Sequence, residues 1–299
     1  MAIVLIAIIS LLFIFRPTFR YCVLHPISLM RWAVGDVWDY FAHKRYNECK
    51  EYGKIKMYSA ADAQAFGCGK SLSMAHYCGY LDKTYNGKMV WDKEHNAFVE
   101  QHLIFVSNLE LKNVKYYVPF TSKAQFRDIE KLGANEHDIV FFVLDEAGIV
   151  FNSRQYKDNI PTEFLARLLQ IRHNKVGFIL NAQRFQMVDK VLRETCSEVT
   201  TCKKMWRLVI LNTYDAYSLE NADNPTLLAP MSTKVWFAKN KDFEAYDTNY
   251  NVGTLTTELD NGEIMTTEEI LASRGEGGDL SRVTRIKKKY KPRVNNYRK

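Results

Sequence analysis

The chain has 299 residues, of which 47% are apolar and 25% charged. That length and balance exclude a disordered polypeptide and allow one or two domains with sizeable cores. The net charge of +7 is concentrated, because nine Lys/Arg and no acid fall within Ser281–Lys299. The body is therefore near neutral and the basicity belongs to a tail. None of the six cysteines forms a C-x-x-C pair, which excludes a zinc finger. A disulfide framework is not indicated in a chain this long.

Ala2–Phe15 carries no charge and stops at Arg16-Pro17. No basic stretch precedes it, so a cleaved signal peptide fits poorly. Its lack of a polar face predicts a membrane anchor rather than a core helix. Arg16, Arg20, Arg31, Lys44 and Arg45 follow it, which places the rest of the chain on the cytoplasmic side. Tyr21–Phe41 has two open readings, an aromatic-anchored segment on the membrane surface or the first packing layer of the soluble domain.

Ile55–Tyr58 is strand-like and leads into Phe66–Ser71, FGCGKS. Leu72, Met74 and Tyr77 follow at helical spacing, and Ser71–Tyr80 reads as the helix after the loop, with Gly79 near its end. Strand, small-residue turn and helix N-terminus are the order of a phosphate-binding loop. Phe66, Gly67, Cys68, Gly69, Lys70, Ser71 and Leu72 are the candidate nucleotide-binding residues. Lys70 is placed to reach the β- and γ-phosphates, and Ser71 to hold Mg²⁺. The first glycine of the full pattern is replaced by Gln64.

Short strands are predicted at Gly87–Val90 and Ala97–Val99, a buried one at His102–Val106 and another at Val114–Val118. Ser122–Leu132 reads as a helix. Ile139–Glu146, IVFFVLDE, reads as a central parallel strand ending in two acids. Ligands bind at such strand ends in open α/β sheets. Asp145 is assigned to the metal, with Ser71, and Glu146 to the proton of an attacking water. A helix at Pro161–His173 precedes a buried strand, Val176–Asn181, and Gln183 follows as a polar amide at its end. Gln186–Arg193 is read as helical, and Met205–Leu211 and Lys234–Ala238 as strands. From Gly253 onward the sequence predicts poor order. The alternation predicts an α/β fold: a doubly wound, mainly parallel sheet of P-loop NTPase type, with an N-terminal hydrophobic transmembrane helix. The predicted domains are an anchor at 1–20, a membrane-proximal segment at 21–50, an ATPase domain at 51–250 and a basic tail at 251–299.

FGCGKS, VSN at 106–108, FFVLDEAGIVFNSR at 141–154, LLQIRHNKVGFILNAQ at 168–183, VDKVLR at 188–193 and EAYDTN at 244–249 occur in the order seen in one family. The chain resembles the zonula-occludens-toxin-like ATPases of filamentous phages, within the FtsK–HerA group of DNA motors. The resemblance covers about Ile55–Thr248. It implies a membrane-associated ring, a hexamer in related motors, that uses ATP and Mg²⁺ to move viral DNA during virion assembly, with coat and assembly proteins as partners. Lys70 and Ser71 take the Walker A roles, Asp145 and Glu146 the Walker B roles, and Gln183 that of the sensor amide. Arg172, Arg193 and Arg154, in that order, are candidates for the arginine that a neighbouring subunit supplies. In the phage proteins a membrane span usually follows the ATPase domain, whereas here an apolar segment precedes it, so no exported domain is expected. A membrane scaffold with a decayed nucleotide site and a small kinase-like enzyme are the competing readings. The four intact Walker residues oppose the first, and the anchor and tail oppose the second. The tail, with Tyr290 and Tyr297 among its cations, suits DNA phosphates and bases and, less well, anionic lipid.

Overall fold

The computed structural model describes residues 16–61, 67–120, 124–127, 137–151, 168–222, 224, 227–246 and the backbone of 293–294. Two units divide the chain. One holds residues up to Glu48 together with Met89–Val99, and the other holds Cys49–Lys88 and everything from Glu100. The hairpin around Met89–Val99 thus groups with the N-terminal segment, not with the predicted ATPase domain.

In the first unit, Pro17 and Pro26 open helices α1 (Pro17–Leu24) and α2 (Pro26–Ala42). Proline suits the first helical turn, where its missing N–H has no intrahelical role. Among the described residues, neither helix buries a side chain. Asp39 holds His43 at 2.6 Å and also pairs with Arg45. Strands β2 (Lys88–Asp92) and β3 (Ala97–Gln101) form a separate two-stranded sheet. Trp91 packs on His43 and Lys44 lies over Phe98. The apolar segment at 2–15 lies outside the described residues. Among those described, no helix is long and apolar enough to cross a membrane.

The second unit is built on β1 (Ile55–Ala60), β4 (Leu103–Ser107), β5 (Tyr116–Pro119), β6 (Ile139–Leu144), β7 (Val176–Asn181), β8 (Glu198–Met205), β9 (Leu208–Asp215), β10 (Ser232–Phe237) and β11 (Arg293–Val294). Their order in the sheet is β10-β9-β8-β1-β7-β6-β4-β5-β11. Strands β8, β1, β7, β6, β4 and β5 run parallel, while β9, β10 and β11 are antiparallel additions at the two sides. The mainly parallel α/β sheet is therefore as expected. Every residue of β4, β6 and β7 is buried, as continuous apolar runs in a sheet covered on both faces should be.

Alternation sorts these side chains onto two faces. Phe105, Phe141 and Ile179 meet Met74, Ala75, Cys78 and Leu81 of helix α3 (Lys70–Tyr85). On the other face, Phe142, Phe178 and Val140 meet Phe126, of helix α4 (Ala124–Arg127), and Phe151, just after helix α5 (Ala147–Val150). Leu192, from helix α6 (Lys190–Thr195), and Ala216, which opens helix α7 (Ala216–Glu220), belong to the same cluster. Both layers place the carboxyl ends of β1, β6 and β7 side by side, which is what assembles the site.

Three expectations change. The helix after the loop runs through Gly79 to Tyr85 rather than stopping near Tyr80. Met205–Leu211 is not one strand: β8 ends at Met205, the chain turns at Trp206-Arg207, and β9 begins at Leu208. In the expected helix Gln186–Arg193, Phe185–Met187 is a 3-10 turn and the α-helix begins only at Lys190, capped by the Asp189 carboxylate, which accepts from Val191 N–H. Parts of the predicted helices at 122–132 and 161–173 lie outside the described residues, as does the tail apart from β11. The backbone of β11 pairs with β5, Arg293 opposite Tyr117.

Candidate nucleotide site

The loop after β1 is described from Gly67. Gly67 and Gly69 have φ of +71° and +88°, the left-handed region in which a Cβ is costly. Gly69 is the N-cap of α3 and Lys70 its first residue. The first N–H groups of that helix have no intrahelical acceptor and lie at the positive end of its dipole. Ser73 fixes the turn, its hydroxyl donating to Gly69 O at 2.7 Å. Leu72 is buried against Val209 and Ala238. Its side chain belongs to the core, so only its backbone can serve an anion. Lys70 Nζ lies 3.6 Å from Cys68 Sγ, which holds the lysine over the loop. Phe66 and Gln64 lie outside the described residues.

Across the loop stands Asp145, the residue after β6. Ser71 Oγ donates to Asp145 Oδ2 at 2.8 Å. Two strand-end asparagines complete the arrangement. Asn181, at the end of β7, donates through Nδ2 to Ser71 Oγ at 3.0 Å and to Asp145 Oδ1. Asn108, just past β4, accepts from Asp145 N–H and donates to Asp145 O, both at 2.8 Å. The Glu146 N–H adds a bond to Asp145 Oδ1 at 3.0 Å. Burial pushes the Asp145 carboxyl above its usual range, and the Ser71 and Glu146 bonds and the Lys70 charge recover only part of that. A desolvated carboxylate beside a hydroxyl is a hard-oxygen pair. Such a pair suits Mg²⁺, which binds through one or two protein oxygens and completes its shell with water and phosphate. Among the described residues no cluster of three His, Cys, Asp or Glu offers a different kind of metal site.

Glu146 caps α5 with φ of +49°, a left-handed conformation that costs a non-glycine residue energy and points to function. Gln183 lies two residues beyond β7, where its carbonyl accepts from Ala60 N–H at 3.4 Å. It thus sits at the same sheet edge as the loop. The side chain that joins Ser71 to Asp145, however, is Asn181. Asn181 is 1% exposed and its Oδ1 has no hydrogen-bond partner among the described residues. Burial, and then the charge of Asp145, push the Tyr246 phenol upward; Asp247 and Thr248 of the YDT stretch lie outside the described residues. Sequence reasoning missed Asn108 and Asn181. The signal was an asparagine at the carboxyl end of each of two apolar runs, Leu103–Val106 and Val176–Leu180.

The arginine candidates separate. Arg172 lies before β7 and packs on Gly53, where an added Cβ would stand 2.9 Å from Arg172 Cβ. That is the opposite edge of the sheet, roughly 20 Å from the loop at about 3.3 Å per strand residue. It cannot serve its own subunit's site. Arg193 Nη1 is 2.6 and 2.7 Å from the two Glu220 oxygens, and this ion pair joins α6 to α7. Arg154 lies outside the described residues.

Residues 138–252 match the family model of zonular occludens toxin (Zot). This is the family that the motifs resemble. No curated protein matches the chain. Among solved structures, the N-terminal domain of zonular occludens toxin from Neisseria meningitidis is 18% identical, with a TM-score of 0.45 over 66% of this chain and 100% of that one. The genome packaging NTPase B204 from Sulfolobus turreted icosahedral virus 2, in complex with AMP, is 13% identical, with a TM-score of 0.38 over 61% of this chain and 96% of that one. EssC (ATPases 2 and 3) from Geobacillus thermodenitrificans is 12% identical, with a TM-score of 0.37 over 76% and 45%.

Proposed function

We propose that this chain is an ATPase, the motor subunit of a membrane-associated machine that moves viral DNA during virion assembly. One observation carries the ATPase reading: the 2.8 Å hydrogen bond between Ser71 at the loop and Asp145 at the end of β6. It joins the loop hydroxyl and the strand-end carboxylate that a Mg–nucleotide requires. Bound Mg²⁺ would neutralise charge on the β- and γ-phosphates, held by Ser71 and, through water, by Asp145. Lys70 and the first N–H groups of α3 hold the phosphates. Glu146 orients the attacking water and takes its proton. Asn181 keeps Ser71 and Asp145 in register, and Gln183, at the same end of β7, keeps the proposed sensor-amide role.

The match to the Zot family over 138–252 supports the viral assembly reading. DNA is the proposed cargo, with the basic tail 281–299 as one contact. Assembly as a ring is consistent with Arg172, which no subunit can direct at its own loop but a neighbour can receive. Membrane attachment is proposed from the apolar stretch 2–15 and from α2, whose Ile27, Met30, Trp38 and Phe41 are all exposed.

The test separates binding from chemistry. Lys70→Ala should abolish nucleotide binding, because Lys70 neutralises phosphate charge in the ground state. Glu146→Gln should bind ATP yet hydrolyse it slower by about a hundredfold or more, since the carboxylate acts only on water. Hydrolysis by Glu146→Gln at the parental rate would refute the assignment.

A further inference from the structure

The metal side of the loop is formed by β6 and β7. On the other side of β1 lies β8. Pairing between β1 and β8 runs to Ala60 opposite Cys202, after which β8 continues to Met205 with β9. Strand β8 therefore extends past the sheet edge, alongside the loop. The stem of Lys204 lies against Gly69: a side-chain carbon there would stand 3.4 Å from Lys204 Cβ and 3.5 Å from its Cδ. Lys204 Nζ is 5.6 Å from the centre of the Phe243 ring, and Arg207 Cζ is also 5.6 Å from it.

Phe243 ends helix α8 (Asn240–Phe243) and is 38% exposed. Its position is fixed relative to α3. Asp242 meets His76 Nδ1 at 3.2 Å, and His76 stacks on Trp236 with ring centres 3.9 Å apart. Arg207 donates to Asn240 Oδ1 at 2.7 Å and to Ala238 O at 3.2 Å. Moving from Asp145 across the loop, one meets Ser71, Lys70, Gly69, the Lys204 cation and then an exposed aromatic ring. That order matches a nucleoside triphosphate laid with its γ-phosphate at Asp145 and its base pointing away from it.

We propose that Lys204 is a second cation for the nucleotide phosphates and that Phe243 is the platform on which the base rests. This builds on the ATPase reading above. Phosphate attraction would draw Lys204 from the ring, and the base would replace it there. An aromatic face stacks on a base without reading its edge, so the contribution is affinity rather than base selection.

Binding of a fluorescent ATP analogue, with Mg²⁺, to the full-length chain tests this, with inorganic triphosphate as the competitor that lacks a base. Phe243→Ala should weaken ATP by about tenfold, in line with base–aromatic stacking, and leave triphosphate affinity unchanged. Phe243→Trp should restore ATP binding. Lys204→Ala should weaken ATP and triphosphate alike, by about tenfold, as loss of one charge-assisted phosphate contact does. Phe243→Leu keeps apolar bulk and, with thermal melting, controls for folding; it should weaken ATP like the alanine variant while melting like the parent. The inference is overturned if Lys70→Ala abolishes binding while the Phe243 and Lys204 variants bind ATP like the parent. It is also overturned if Phe243→Ala weakens triphosphate as much as ATP. Retention of ATP binding by Lys70→Ala would instead remove the ATPase reading, and this inference with it.

Discussion

Asn181→Leu replaces a buried amide by an apolar group of similar size at the junction of Ser71 and Asp145. The amide makes two hydrogen bonds through Nδ2, one to the Asp145 carboxylate and one to the Ser71 hydroxyl. The first is worth about 1.5–3 kcal/mol and the second about 1 kcal/mol. Against this, Asn181 Oδ1 is buried and has no partner among the described residues, and removing such a group recovers about 1–3 kcal/mol of desolvation. Asp145 keeps its bonds from Ser71 and from the Glu146 N–H, so no carboxylate oxygen is stripped bare. The terms nearly cancel, and the variant should match the parent in a urea titration to within about 2 kcal/mol. Activity should behave differently. Without Nδ2, Ser71 and Asp145 lose their common tether, and Oδ1 is no longer available to the bound state. Steady-state ATP hydrolysis at saturating Mg²⁺ should fall by roughly a hundredfold, in the range of a lost preorganised contact. A large loss of stability with an unchanged turnover rate would refute the reasoning and make Asn181 a packing residue.

Other expectations follow from single contacts. Alkylation of Cys68, whose sulfur lies 3.6 Å from Lys70 Nζ, should inactivate hydrolysis by placing bulk inside the loop; equal labelling with and without MgATP would count against a nucleotide there. Gly177→Ala should destabilise by about 1–3 kcal/mol through overpacking, since the new methyl would stand 2.6 Å from the buried Phe141 ring, and an unchanged urea midpoint would show that the ring can move. Glu51 is tied to Lys56 at 2.7 Å. Burial alone would raise its carboxyl, but the Lys56 bond and charge, then Lys54 and Tyr77, hold it below 4.5. A depressed folded pKa means stability that is present above the unfolded value and lost as pH falls through the folded one. The parent should therefore weaken below about pH 4.5, and Lys56→Met should flatten that slope in urea titrations.

How much of this was legible depended on whether a residue's role was local. The loop glycines, Lys70 and Ser71 act through consecutive backbone, so their order in the chain already describes their geometry. The apolar runs of β4, β6 and β7 were equally plain, because strands buried on both faces leave no polar positions to blur them. Asn108 and Asn181 were not plain. Each is an asparagine at the end of an apolar run, and only the parallel order β7-β6-β4 sets the three strand ends beside one another.

The β8–β9 hairpin was misread for a different physical reason. Met205–Leu211 looks like a single buried strand because six of its seven residues are apolar. Yet Met205, Trp206 and Leu208 are 58%, 79% and 38% exposed, and Trp206 adopts φ of +56° in a two-residue turn. Turns of this kind ordinarily recruit glycine or asparagine, so neither hydropathy nor turn chemistry marked the reversal. The preceding Glu198–Met205 was missed because only its Val199 and Cys202 are buried. Its Val-Thr-Thr run was the available β signal. The consequence reaches the site. With Met205–Leu211 drawn as one strand, Lys204 falls outside the sheet and has no defined place. With the chain reversing at Trp206, β8 must pass beside Gly69. The same reversal returns β9 and β10 along that side, so Val209 and Ala238 can bury Leu72 of the first helical turn. The helix proposed to receive the phosphates is thus held at its amino end by the segment that sequence patterning obscured.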